Sequence, residues 1–256
     1  MRGEEEVKLA VKALTKTARQ SNAKARIKSK AVEASINNVF ELKLESEYAY
    51  LYLKTFDWRQ VEKYDLKADD FYSDIFQKIN DHGSSNLIVD LRGNTGGRKA
   101  FGEGIVPFIH VDKEVPFLIK NTSWKGKVKA VKKAKPSKNP FNGIIYVLVD
   151  GYTYSVGGII ARYLQELNGA ITIGEETGTR YEGFVAGSAQ YTTLKHSAIR
   201  IGVPCYLKEF PSSSVQNTSN RGLLPQHEVV VSLADRLEKR DPVMDFALDL
   251  IQKNKQ

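Results

Sequence analysis

The chain has 256 residues, enough to bury a full core as one large α/β domain or as a domain with an appendage. It has no apolar run near the ~20 residues that span a bilayer, and its start lacks the apolar core of a secretory leader, so it reads as soluble, without an integral membrane segment or targeting segment. The net charge of +8 is local: Lys120 to Lys138 hold eight lysines and no acid, which leaves 30 charges of each sign elsewhere. That distribution argues against nucleic acid as the partner and predicts a solvated, mobile lysine-rich loop over 120–138.

Residues 1–40 are rich in Lys, Arg, Ala, Ser and Glu, with a weak helical pattern through Val7, Leu9, Val11 and Leu14, and read as a basic, peripheral or partly disordered lead-in. A compact domain is expected over 41–256. "YAYLYLKTF" (48–56) alternates as a half-buried strand does. "ADDFYSDIFQKINDHG" (68–83) predicts a helix with Phe71, Ile75, Phe76 and Ile79 on one face, acids in its first turn and Gly83 past its end. "SNLIVDL" (85–91) and "GIIYVLV" (143–149) are short continuous apolar runs, as in strands covered on both faces. Between them lie a mixed segment (98–111), a predicted strand "VPFLIK" (115–120) and the lysine run.

The segment after Ser155 spaces Ile159, Ile160, Tyr163, Leu164 and Leu167 as a helix ended by Asn168-Gly169, and "AITIGEE" (170–176) returns to a strand. "SAQYTTLKHSAIRIGVPCYL" predicts a hairpin turning near His196-Ser197. A last helix starts at Asp241-Pro242 with Met244, Ala247, Leu248 and Ile251 inward. The alternation of strand and helix predicts an α/β fold with a largely parallel sheet.

Three polar, glycine-bearing turns follow three strands and form a candidate rim. In "DLRGNTGGRKAFGEG" (90–104) the glycine spacing fits neither a phosphate-binding loop nor a dinucleotide fingerprint. Gly96 and Gly97 at a strand end could present backbone N–H groups to a developing oxyanion, or serve a tight turn. In "VDGYTYSVGGIIARYLQE" Ser155 stands where a strand gives way to a helix, as a nucleophile beside the Val156 N–H or as a helix cap. "GEETGTRYEG" (174–183) is the third turn. The single cysteine, Cys205, excludes an internal disulfide and, without clustered histidines, gives no zinc ligand set; it reads as a small buried residue.

Together "NLIVDLRGNTGG", "VLVDGYTYSVGGIIARYLQELNGAITIGEETG" and "NRGLLPQHEV" resemble the C-terminal-processing, or tail-specific, serine protease family, over about Tyr48 to Lys253, with Gln226 where the last motif usually has Asp. The resemblance implies a crotonase/ClpP-like core with flanking helices and a β-hairpin. It implies Ser155 as nucleophile, an oxyanion hole from the Gly96 or Gly97 N–H with that of Val156, a peptide or protein substrate, no metal or organic cofactor, and a place in the bacterial cell envelope or outside the cell.

Many members pair the serine with a lysine; here the position 25 residues beyond Ser155 is Arg180, which cannot accept a proton at neutral pH. The chain is therefore more similar to the tricorn-like branch, whose base is an upstream histidine. His82, His110, His196 and His227 do not sit in that motif, nor is the family's peptide-tethering module recognisable. The expectation is a catalytic-core fragment whose base lies upstream, weakly active or inactive alone, with Glu209 as the candidate supporting glutamate. The rival expectation is a non-catalytic module on the same fold that binds a peptide or hydrophobic ligand.

Overall fold

The structure, a computed structural model, describes residues 15, 17, 39–57, 59–60, 67–109, 115–116, 120–123, 125–129, 133–210 and 220–254. Apart from residues 15, 17 and 39–40, the 1–40 lead-in lies outside them, as does His110. The unit described below runs from Asn38 to Gln256.

Strands β1 (Phe40–Leu44) and β2 (Ala49–Leu53) form an antiparallel pair, with Phe40 opposite Leu53. Helix α1 (Ala68–His82) follows the sequence reading closely: Phe71, Tyr72, Ile75, Phe76 and Ile79 are buried, Asp69 and Asp70 lie in the first turn, and Gly83 closes it with a left-handed φ of 75°. Strand β3 (Asn86–Asp90) is buried throughout. The mixed segment after it contains two short helices, α2 (Lys99–Glu103) and α3 (Val106–Ile109).

The expectation of a plain loop over the lysine run is corrected. Within the predicted strand at 115–120, β4 (Val115–Pro116) and the start of β5 (Lys120–Ser123) are strand, and 117–119 lie outside the described residues. The lysine run holds β5, β6 (Val128–Lys129) and β7 (Lys133–Ala134), so it is not a plain loop. Charge does not prevent a lysine-rich segment from pairing, because the ladder joins backbone groups and the ammonium ends can stay in water.

Strand β8 (Ile144–Val149), helix α4 (Val156–Asn168) and strand β9 (Ile171–Gly174) form the predicted β-α-β unit, and Gly169 at φ 71° ends the helix. The hairpin is longer than the sequence reading: β10 (Gly183–Thr193) and β11 (Arg200–Glu209) flank a turn at 194–199, with a register shift between Ala186 and Ala189. Strand β12 (His227–Glu228) precedes α5 (Leu233–Glu238), which starts with a capping box between Ser232 and Asp235 and was not anticipated. Helix α6 (Pro242–Lys253) starts at the Asp241 cap as predicted, but its buried stripe is Val243, Ala247 and Ile251, with Met244 and Leu248 only partly covered.

The main sheet has the order β1-β2-β3-β8-β9-β12 and is parallel from β2 onward. A second sheet, β10-β11-β5-β6, is antiparallel, and β4 pairs with β7. Alternation along the buried strands divides the core. Leu87, Val89, Ile145 and Val147 face the layer of α1 and α4, whereas Ile88, Tyr146 and Leu148 face α6. Each such buried side chain contributes about 1.5–3 kcal/mol, which explains why β3 and β8 read as unbroken apolar runs. The architecture is thus mixed α/β, with a mostly parallel sheet between helices. Asp90 lies opposite Leu148, and Leu148 opposite Ile173, so the turns after β3, β8 and β9 leave the sheet at one edge.

Candidate active site

The turn after β8 is fixed by its own polar residues. The Asp150 carboxylate accepts the Tyr152 N–H at 3.0 Å and the Gly93 N–H at 3.0 and 3.1 Å, which ties this turn to the one after β3. The fully buried Thr153 hydroxyl donates to the Leu91 carbonyl at 2.9 Å, and the Tyr154 N–H donates to the Asn94 carbonyl at 2.9 Å.

That latch delivers Ser155 to the start of α4 with φ 54° and ψ −118°. A non-glycine residue in this region costs about 1–3 kcal/mol and persists only where its surroundings enforce it. Ser155 occupies the N-cap position, yet its side chain accepts no capping hydrogen bond. Its hydroxyl has no partner among the described residues, while its carbonyl receives the Ile159 N–H at 3.1 Å and the Thr179 hydroxyl at 3.4 Å. Ser155 is half-buried, and Tyr152 and Tyr154 just before it are 71% and 54% exposed.

The turn after β3 meets this serine. A Cβ built on Gly96 (φ 89°) would stand 2.7 Å from both Ser155 Cβ and the Val156 nitrogen; one built on Gly97 (φ 140°) would stand 2.1 Å from the Phe56 carbonyl. Both positions therefore need glycine for conformation and for space. The two amides differ. The Gly96 N–H donates to Asn94 Oδ1 at 2.8 Å, so it is committed to the turn and is not a free oxyanion donor. The Gly97 and Val156 N–H groups have no acceptor among the described residues, and Val156 opens a 13-residue helix whose dipole favours negative charge at that end. Asn94 is completely buried and also donates Nδ2 to the Leu53 carbonyl at 2.6 Å, joining the ends of β2, β3 and β8.

The third turn is pinned from two sides. Glu176 binds Arg221 through Nε at 2.9 Å and Nη2 at 2.6 Å and accepts the Gly222 N–H at 2.7 Å; the arginine and that amide hold its carboxyl below the usual range. The buried Arg162 of α4 donates to the Tyr181 carbonyl and lies between the rings of Tyr181 and Phe210, at 4.0 and 4.2 Å. Arg180 is paired with Glu182 at 2.9 Å, both half exposed, and bridges to Gly222.

Behind the serine turn, on the α6 side, Arg92 joins Asp90 and Asp241 with contacts of 2.6 Å to each. Tyr50 donates to Asp90 at 2.9 Å, and burial with the adjacent carboxylate pushes its phenol far up. A pocket of about 540 Å³ lies here, lined by Tyr50, Tyr52, Arg92, Tyr152, Glu175 and Val231 among others; Ser155 does not line it.

The predicted residues are therefore only partly brought together. Ser155, Val156, Gly96 and Gly97 form one cluster. Glu209 ends β11 opposite Gly183 and Lys120, and no contact among the described residues joins it to Ser155. His82 bonds Ser84 at 2.7 Å, His227 packs on Phe246, and His196 is exposed at the hairpin turn; none of these meets Ser155. No group of three or more His, Cys, Asp or Glu among the described residues is arranged to hold a metal ion. Sequence reasoning missed Asn94, Thr153, Arg162 and Thr179. Asn94 was visible inside "DLRGNTGG", but its role depends on contacts with residues 41 and 60 positions away.

The fold matches solved structures. A peptidase candidate from Parabacteroides merdae ATCC 43184 superposes with a TM-score of 0.59 at 15% identity, over 88% of this chain and 68% of its own. Mature CPAF complexed with lactacystin gives 0.57 at 13%, over 84% and 55%. The photosystem II D1 C-terminal processing protease gives 0.51 at 19%, over 72% and 42%. At such identities the likeness concerns the fold alone, and this chain spans only part of each longer protein. No curated protein matches the sequence. Residues 47–229, more than half of the chain and including all three turns, match peptidase family S41. The chain thus belongs to peptidase family S41.

Proposed function

We propose that this chain is the catalytic core of a serine endopeptidase of the C-terminal-processing type. Ser155 Oγ attacks a peptide carbonyl, and its proton passes to a base. The Val156 and Gly97 N–H groups receive the developing oxyanion. Collapse of the tetrahedral intermediate expels the amine with that proton and leaves an acyl-serine, which water hydrolyses. The base is a histidine outside the described residues, upstream as the resemblance implies, and Glu209 is its candidate support. The peptide or protein substrate and the envelope or extracellular location belong to the same proposal.

One observation carries it: a serine held at φ 54°, its hydroxyl uncommitted, beside a backbone amide that is also uncommitted. A cap would use the hydroxyl, and a plain turn would not need serine in that conformation. The test is labelling of the full-length gene product by a fluorophosphonate. Labelling lost in Ser155→Ala supports the proposal; equal labelling in both forms, or none in a folded full-length protein, overturns it.

A second reading is favoured by Arg180, which stands in the dyad lysine's place and is paired with Glu182. In it the fold is a non-catalytic module for a peptide or hydrophobic ligand. Retained ligand binding without labelling would select it.

A further inference from the structure

Every residue from Gln190 to Pro204, the outer half of the β10–β11 hairpin, is exposed. Directly opposed residues of an antiparallel pair share a face. Val185 lies opposite Leu207, Gln190 opposite Val203 and Thr192 opposite Ile201, so Val185, Ile201, Val203 and Leu207 line one face. All four are exposed, as are Leu194 and Ile199 at the turn. On the opposite face the Tyr191 ring covers Gly202 and carries the Arg200 guanidinium 3.9 Å above it. An apolar stripe of this length is unusual on a soluble surface.

The charge on the same sheet and its flanking segment is almost all positive. Residues 183–209 contain Lys195, Arg200 and Lys208 and a single acid, Glu209, at the inner end of β11; 120–138, which supply β5 and β6 beside β11, contain eight lysines and no acid. Lys125, Lys127, Lys135 and Lys138 are exposed. Without these two segments the chain has 27 basic and 29 acidic residues, so together they account for the whole positive charge of the protein.

We propose that this hairpin and the adjoining lysine-rich strands dock the protein on an anionic lipid bilayer, with Leu194, Ile199, Ile201 and Val203 entering the interface and the lysines meeting lipid phosphates. An exposed apolar stripe with lysine-rich strands beside its base has this chemistry. A second copy related by a two-fold axis would set these like charges against one another. Nucleic acid would want exposed stacking rings, and the aliphatic face has none. Among the described residues no helix is long and apolar enough to cross a membrane. This inference does not depend on the peptidase reading.

The test is co-sedimentation of the full chain with vesicles of phosphatidylcholine, alone or with about one-third phosphatidylglycerol. Binding is expected only to the anionic vesicles. It should weaken at least tenfold in Leu194→Asp/Ile199→Asp and in Lys195→Glu/Arg200→Glu. An Ile199→Trp variant should shift its emission to the blue on anionic vesicles alone, which reports insertion independently. The proposal is overturned by absent binding to anionic vesicles, by binding indifferent to the apolar pair, by a short DNA duplex that binds as tightly as the vesicles and competes with them, or by the apolar changes dissociating a dimer while vesicle binding is unchanged.

Discussion

Gly96 and Ser155 lie in such close contact that a Cβ on the glycine would stand 2.7 Å from the Cβ of the serine. The neighbouring atoms on this side are backbone, the Val156 nitrogen and the Tyr154 carbonyl, which cannot rotate away. Gly96→Ala must therefore push the serine turn off the β3 turn, besides adopting φ 89° with a side chain. We expect a loss of about 2–4 kcal/mol in urea unfolding. Fluorophosphonate labelling of the full-length protein should fall at least tenfold under conditions where the variant remains folded. Unchanged labelling would separate Gly96 from the candidate site.

The strain at Ser155 makes an opposite prediction about stability. Glycine accepts φ 54° without the side-chain penalty but adds freedom to the unfolded chain, worth about 0.4–1 kcal/mol. Against about 1–3 kcal/mol of strain, Ser155→Gly should gain about 1 kcal/mol. Ser155→Ala keeps the Cβ and should stay near the parent. Both should lose labelling. Urea midpoints of the three proteins would show whether a conformation that opposes stability is being held for chemistry.

The elements that sequence made legible were those governed by local periodicity. Phe71 to Ile79 marked α1, Ile159 to Leu164 marked α4, and the unbroken apolar run at 86–90 marked a strand covered on both faces. The site was legible as three glycine-bearing turns at strand ends. Which glycine offers a free amide was not, because Gly96 and Gly97 look alike until Asn94 Oδ1 is seen to occupy one of them. Strand β5 in the lysine run was hidden because its partner, β11, lies some 80 residues on, and β6 and β7 because each is only two residues long. Helix α5 could have been found from Ser232 and Asp235, three apart, which form its capping box.

Asn94 is the polar residue on which the site leans most. It is fully buried, its amide nitrogen serves the Leu53 carbonyl and its amide oxygen serves the Gly96 N–H. Asn94→Ala would strand both buried backbone groups, at about 1–3 kcal/mol each. We expect a total loss of about 3 kcal/mol in urea unfolding. Asn94→Asp keeps the acceptor for Gly96 but loses the donor and sets a carboxylate against the Leu53 carbonyl. It should be destabilised near neutral pH and recover as acid protonates the new carboxyl. An Asn94→Asp protein with parental stability across that range would refute the assignment.

The pairing of Arg92 with Asp241 sets an acid limit on stability. Partial burial of Asp241 works to raise its carboxyl, but hydrogen bonds and charge from Arg92, with the Met244 and Val243 N–H groups, prevail and hold it below the ordinary 3.8. A depressed carboxyl stabilises the fold fully above its unfolded value and loses that contribution as pH falls through the folded one. The Asp241 contribution should therefore be constant from neutrality down to about pH 5 and vanish progressively below pH 4. Asn at this position still caps α6 but carries no charge for Arg92. Asp241→Asn should consequently lower the urea midpoint at pH 7 and converge on the parent in acid. Parallel curves over the whole range would assign the stabilisation to the cap alone.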